Sequence, residues 1–410
     1  MYQIARLAFR NLYRQKRRTG LTVSIIAFGV IAVFLFTSLT GSFKNMMISQ
    51  ITDSMLGHMQ IHKKGYVESL DTMPLNLVIK EKEFKDIEKI LSSTEEIEGY
   101  SIRILLGTLL SNYVDTTNVK LAAFKPENEK IVTPLLNGRI KHGQYLKEGE
   151  IMLPELIAAG LNLTTTSEVV VIATNSDGSV NGTTLKVSGI VETAVGPSGK
   201  YGYIHFKDAL SLLRMDKIGI SEIAIRLKDI SKLEPVMKKL NKKLSEFKNK
   251  KGKPLFELHS WKKLTPFNNI AIMIDMMALF IKIILVTIVL ISIMNVMLMA
   301  VYERTKEIGT IAAIGTQPST IMTMFVFEGV YLGILGAFIG NIIGSIIIYG
   351  VKLAEITVSF GRNDNILLVP QISVSDMLLL TVIVIVITLF GVIEPALKAS
   401  KLDPIEALRN

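Results

Sequence analysis

Few residues in this 410-residue chain have the types and spacing that chemistry requires. His58 and His62 stand four apart, a spacing that puts two imidazoles on one helical face. No third ligand or general base follows at metalloprotease spacing, so no metal site is expected. No Gly-x-Ser-x-Gly elbow occurs, and Gly196–Lys200 lacks the spacing and the Ser/Thr of a phosphate-binding loop. The absence of cysteine excludes disulfides and thiol catalysis. Asn162–Thr164 and Asn181–Thr183 match glycosylation sequons, which matter only in a host that glycosylates exported chains. The expectation is a non-catalytic protein without a cofactor. A tethered enzyme stays open as an alternative only through residues distant in sequence.

The charges set within apolar runs are more telling. Glu328 lies inside a long apolar segment, where an ionised carboxylate costs roughly 2.5–3.5 kcal/mol on insertion scales unless it is paired, snorkelled or protonated. That makes it a functional candidate by default. Asp275 and Lys282 sit two turns apart near the end of another such segment, where an interfacial position explains both. Gly329, Gly333, Gly336, Gly340 and Gly344, most of them four apart, bare one side of a helix so that another backbone can approach.

These residues must be positioned by membrane spans. Apolar residues make up 49% of the chain and mean hydropathy is +0.40, yet 20% of residues are charged, so the apolar excess is gathered into blocks. Spans are predicted at 21–41, 276–300, 321–350 and 376–393, with residues 271–275 forming a stalk that continues the second span outward as a lever. A purely soluble or disordered chain is excluded. The first span reads as a retained signal anchor because its apolar run exceeds a cleaved signal's core, with cleavage near Thr37–Ser42 as the alternative.

Residues 1–20 carry six Lys/Arg and no acid, and Arg304, Lys306, Lys398, Lys401 and Arg409 fall on the same side of four spans. That side is expected to be the cytoplasm, with both termini and the loop 301–320 inside, and 42–270 and the short loop 351–375 outside. The even balance elsewhere gives no nucleic-acid surface. Within 1–20, Arg6, Arg10, Arg14 and Arg17 oppose Ile4, Leu7, Ala8 and Leu12, as in an interfacial amphipathic helix; an irregular topogenic cluster is the alternative.

The segment 42–270 reads as an α+β domain inserted between spans one and two. Strands are predicted at Val169–Ala173, Leu185–Val191 and Glu222–Leu227, and a helix through Leu233, Val236, Met237, Leu240, Leu244 and Phe247. The opposite face of that helix carries Lys238, Lys239, Lys242 and Lys243, either a solvated face or one that meets anionic lipid.

The loop after the second span runs Glu303, Arg304, Thr305, Lys306, Glu307, Ile308, Gly309, followed by Ile311 and Ile314. It is a short amphipathic helix whose isoleucines suit a groove while its charges fix register. This run resembles the coupling helix of the FtsX-like permease family of ABC transporters. The tail agrees, with Pro395–Ala399 ahead of Asp403, Pro404 and Glu406 in capping-box positions. Gly57–Tyr66 and Gly149–Leu163 are similar to lipoprotein-releasing permeases, although Thr166-Ser167 depart from a Gly-Asp at that point.

The resemblance covers almost the whole chain. It implies a non-catalytic permease in the inner membrane with four spans and a large periplasmic domain. It further implies a separate ATPase subunit dimer and a second permease, identical or related. The substrate it implies is a lipoprotein extracted for a periplasmic carrier, entering from membrane lipids past Phe34, Met273, Met277 and Phe280. The alternatives are a MacB-like efflux or peptide-export permease and an FtsX-like non-transporting regulator of a cell-wall hydrolase. About 20 residues precede the first span, too few for a fused ATPase.

Overall fold

The computed structural model describes residues 2–175, 177–192, 201–215, 219–249, 252–264, 267–360, 363–367, 370 and 374–409. Gly196–Lys200 lies outside them. The chain divides into a helical unit (Met1–Asn45, Ala271–Val358, Leu367–Asn410) and a sheet-rich unit (Met46–Ile270, Ser359–Ile366).

In the helical unit, four helices are long and apolar enough to cross a membrane. The first-span helix is Lys16–Ile51, the second Phe267–Glu303, the third Pro318–Leu353 and the fourth Val374–Ser400. All four exceed the expected apolar windows, because hydropathy marks only the hydrocarbon-crossing part while backbone hydrogen bonding continues into polar flanks. The first span thus runs about ten residues beyond 41 and passes into a π-turn at Thr52–Leu56. At ~1.5 Å per residue the 37-residue second helix is about 55 Å long.

The N-terminal helix Tyr2–Arg14 buries Ala8 and Leu12 and leaves Leu7 exposed. Phe9 meets Tyr331 of the third span edge-on, with ring centroids 5.6 Å apart. The region 351–375 contains two paired strands rather than only a loop.

In the sheet-rich unit the strands are β1 (Met59–Lys63), β2 (Ile79–Lys80), β3 (Ile97–Ser111), β4 (Thr116–Phe124), β5 (Ile140–Gly143) and β6 (Glu150–Pro154). They continue as β7 (Glu168–Thr174), β8 (Val180–Val191), β9 (Tyr201–His205), β10 (Gly219–Ile220), β11 (Glu222–Leu227) and β12 (Phe256–Ser260). The 15-residue β3 organises this unit. One edge pairs with β4; the other pairs first with β11 and then, from Thr108 to Ser111, with β7. Because β7 also pairs with β8, the pairings β3-β4-β9-β6-β8-β7 return to β3 and close a six-stranded ring, which leaves those strands few free edges. Leu105, Ala122, Phe124, Met152, Val191 and Tyr203 belong to one core cluster.

His58 and His62 lie not on a helix but at and within β1. His58 accepts from the Leu227 amide at Nδ1 (3.0 Å) and faces Asp53, and His62 faces Glu222 at 3.5 Å. Among the described residues, no group of three His, Cys, Asp or Glu forms a metal cage. Beside them Arg103 is buried between two carboxylates. It donates to Glu129 (2.5 and 3.1 Å) and to Glu222 (2.8 Å). Thr133 adds a bond to Glu129 (3.0 Å) and Gln60 one to Glu222 (3.3 Å). Burial alone would raise the Glu222 carboxyl, but His62 and Arg103 hold it below the usual carboxylate range.

Candidate functional site

The segment joining the second and third spans is built from a helix break. The second-span helix ends at Glu303, Arg304 leaves helical geometry (φ −109°, ψ 15°), and a new helix runs Thr305–Ala313. Gly315, at φ +96°, ends it in the left-handed conformation that costs glycine least, and Pro318 opens the third span at a first-turn position where its missing N–H is harmless.

Arg304 turns inward from the break. Its Nη1 donates to Glu328 (3.3 Å), its Nε donates to Glu307 (3.1 Å), and its guanidinium lies 6.0 Å from the Phe325 ring centre. Glu328, buried in the third span, is therefore paired. An unpaired charge there would carry the full desolvation penalty, and the pair ties the short helix to that span.

The same inward side holds Ile308, only 2% exposed and in one buried cluster with Leu12, Val301, Ile321 and Phe325. Gly309 is buried as well. A Cβ there would come within 2.6 Å of Ala407 Cβ, so only glycine lets the C-terminal helix Pro404–Arg409 sit so close. Asp403 caps that helix by accepting from the Ile405 amide (2.8 Å); the side chain of Glu406 lies outside the described residues.

This arrangement corrects the expectation that Ile308, Ile311 and Ile314 share one groove-filling edge. Ile308 is consumed by the chain's own bundle, Ile311 is at the margin, and Ile314 is 81% exposed. Glu303, Lys306, Glu307 and Thr310 are exposed, Thr305 is half-buried, and Tyr302 adds an exposed ring that sequence reading passed over. The site is thus a short helix fastened on one side and open on the other.

The glycines of the third span serve two neighbours. Gly329 faces Val392, and at Gly333 a Cβ would lie 2.9 Å from Thr388 Oγ1, both on the fourth span. Gly336, Gly340 and Gly344 face the first span, with Cβ positions 2.5 Å from Ile26 Cγ2, 2.6 Å from Val30 Cβ and 2.7 Å from Phe34 Cδ1.

Phe34 is consequently buried, 2% exposed, and cannot line an open entrance as expected: it fills the space over Gly344. Met273, Met277 and Phe280 of the second span are more than half exposed. Asp275 pairs with Lys44 of the first span at 2.5 Å. Sequence reading also missed Asn341, which donates to Thr381 across the third and fourth spans (2.8 Å); a lone amide in an apolar run was the available signal.

The chain is similar in sequence to several known permeases. The permease YtrF of Bacillus subtilis is 39% identical over 137 residues, which is 32% of this chain and 31% of that protein. The macrolide export ATP-binding/permease protein MacB of Campylobacter fetus is 39% identical over 115 residues, 28% of this chain and 16% of its own length. The pyoverdine export ATP-binding/permease protein PvdT of Pseudomonas entomophila is 37% identical over 120 residues, 29% of this chain and 16% of that protein. The chain thus spans less than a third of the length of these relatives. Among solved structures, the periplasmic region of MacB from Actinobacillus actinomycetemcomitans aligns with 54% of this chain and 94% of its own, at 15% identity and a TM-score of 0.37.

The model for the FtsX-like permease C-terminal region matches residues 279–404, and that for the MacB-like periplasmic core domain matches residues 19–243. The chain belongs to the FtsX-like ABC transporter permeases that carry a MacB-like periplasmic core domain.

Proposed function

We propose that this chain is a non-catalytic permease subunit that converts the closure of a separate ATPase dimer into movement of its exported domain. It works with a second permease, identical or related, in the cytoplasmic membrane, both termini and residues 301–320 facing the cytoplasm. One observation carries the reading. The helix Thr305–Ala313 is fastened inward through Arg304, Ile308 and Gly309 while Lys306, Thr310 and Ile314 stay open, so a push on its outer face is delivered to the third span through Glu328 rather than absorbed by a loose loop.

The expected cargo is an acylated protein drawn from the membrane and handed to a carrier. The exposed Met273, Met277 and Phe280 supply adaptable apolar contact for acyl chains. A second reading, export of a small molecule, is favoured by the names of the MacB and PvdT relatives.

Purified chain alone should hydrolyse no ATP, and Ile314→Asp should abolish co-purification of the ATPase while leaving the chain folded in the membrane. Robust hydrolysis by the isolated chain, or an undiminished complex with the variant, would refute the coupling role. Single cysteines at Asn363 and Thr310 test orientation, since only the first should react with an impermeant thiol reagent from outside. A photo-crosslinker at Met277 separates the cargo readings: capture that requires the acyl chain supports lipoprotein, whereas equal capture of non-acylated cargo favours export.

A further inference from the structure

Between Lys228 and Lys253 the chain carries ten lysines against three acids, Asp229, Glu234 and Glu246. The helix Leu233–Leu244 within this stretch buries Leu233, Val236, Leu240 and Leu244 and turns Lys238 and Lys242 outward. Ordinary roles account for part of the charge. Lys242 and Lys243 lie in the last turn, where the helix dipole favours cations, and Lys239 pairs with Glu96 at 3.2 Å. Glu234, the acid best placed to offset the rest, is already held by Lys262 at 3.1 Å. Lys232, Lys238, Lys242 and Lys248 are exposed; Lys232 lies near Asp229 and Glu96, and Lys238, Lys242 and Lys248 form no ion pair among the described residues.

We propose that this lysine face binds anionic phospholipid headgroups of the membrane that the chain spans. The run continues through Lys262 and Lys263 to within four residues of Phe267, where the second-span helix begins. The tether therefore keeps a headgroup surface at high effective concentration around a cluster of flexible ammonium groups, which bind phosphate as point charges and need no shaped pocket. A protein partner is disfavoured because the outward positions of the helix carry no aromatic ring and only Pro235 as an exposed apolar residue, with Ile230 exposed ahead of the helix. Between the lysines stand Asn241 and Ser245. A nucleic acid is disfavoured for the same lack of stacking rings. The inference rests on the orientation proposed above in one respect only. Lysines flanking a span on the exported side work against the bias that orients spans, so topology does not explain them.

The full-length chain in nanodiscs, footprinted by lysine acetylation and mass spectrometry, tests this. In phosphatidylglycerol-rich discs Lys238 and Lys242 should react severalfold more slowly than in phosphatidylcholine discs. Lys85, exposed on the neighbouring helix and paired with Glu81, should be unchanged, and high salt should erase the difference. Lys232→Gln, Lys238→Gln, Lys242→Gln and Lys248→Gln combined should abolish the lipid-dependent hydrogen-exchange protection of residues 233–244.

Equal reactivity in the two disc types, or an equal change at Lys85, would overturn the proposal. So would protection by soluble inorganic polyphosphate without any by phosphatidylglycerol, which would point to a soluble polyanion. Failure of the orientation reading is seen separately, as outside labelling of a cysteine at Thr310, and leaves the footprint unaltered.

Discussion

Arg103 in the sheet-rich unit and Arg304 in the helical unit are both buried arginines facing buried carboxylates, yet they are built differently. Arg103 makes three bonds to two carboxylates, and both are held again by neutral side chains, Thr133 and Gln60. Arg304 makes one contact of 3.3 Å to its buried partner and gives its other arm to Glu307, which is exposed. The first arrangement joins β3 and β11, neighbours in one sheet, to the helix Pro126–Val132 on which Glu129 lies. The second joins a short inter-span helix to a different long helix. Burial of an arginine does not by itself mark a working part. The distinction lies in how firmly each is held: Arg103 by three bonds to two buried carboxylates, Arg304 by one bond to a buried carboxylate and one to an exposed one.

The largest expected effect tests the first half of that contrast. Arg103→Ala strands Glu129 and Glu222 as buried unpaired charges and should cost roughly 3–5 kcal/mol, read as a lowered unfolding midpoint of the full chain. A cost no larger than that of Arg304→Ala would show the cluster to be no more firmly held than the Arg304 pair.

Arg304→Ala should be milder in stability, about 3 kcal/mol, because one buried carboxylate, Glu328, loses a partner instead of two, but should uncouple ATPase stimulation. The swap Arg304→Glu with Glu328→Arg should recover part of that stimulation, measured in the reconstituted complex. Recovery of none would remove the pair from the coupling path.

Acid offers a third probe, because Glu222 has a depressed native carboxyl. Its contribution is present above about 4.3, the ordinary glutamate value, and fades as pH falls through the lower native value. Glu222→Gln should flatten the dependence of the unfolding midpoint on pH in that acid window. An unchanged slope would mean that other groups govern it.

The smallest stability effect, within about 0.5 kcal/mol, is expected for Ile314→Asp on the open face. A larger loss by thermal denaturation would mean that Ile314 is packed in the free chain.

How far the sequence led can be seen in single residues. The β-branched run at Val169–Ala173 and the alternation at Leu185–Val191 and Glu222–Leu227 lie in β7, β8 and β11, and the helical spacing from Leu233 lies in the helix Leu233–Leu244, which stops short of the expected Phe247, because each is a local pattern. The bare face of the third span was legible for the same reason. Ile308 and Ile314 were not separable, since a six-residue interval on a short amphipathic helix does not say which residue the chain's own bundle takes. Phe34 was misjudged because the glycine it covers, Gly344, is 310 positions away in sequence. Closure of the ring by β7 depends on register along the second edge of β3, which no local pattern encodes.

The division of the glycine face has a mechanical consequence. A helix with all its small residues on one neighbour could roll or slide against the other, but the third span is keyed on both sides, at Gly329 and Gly333 to the fourth span and at Gly336, Gly340 and Gly344 to the first. A roll of a single residue, about 100° for an α-helix, would drive bulky side chains into two backbones at once. The three helices therefore form a gear train with no free tooth. The second span bears no glycine of its own but is seated against the same assembly, with Val289 over Gly29 of the first span and Ile293 against Gly391 of the fourth, while its methionines and isoleucines cover the exposed side.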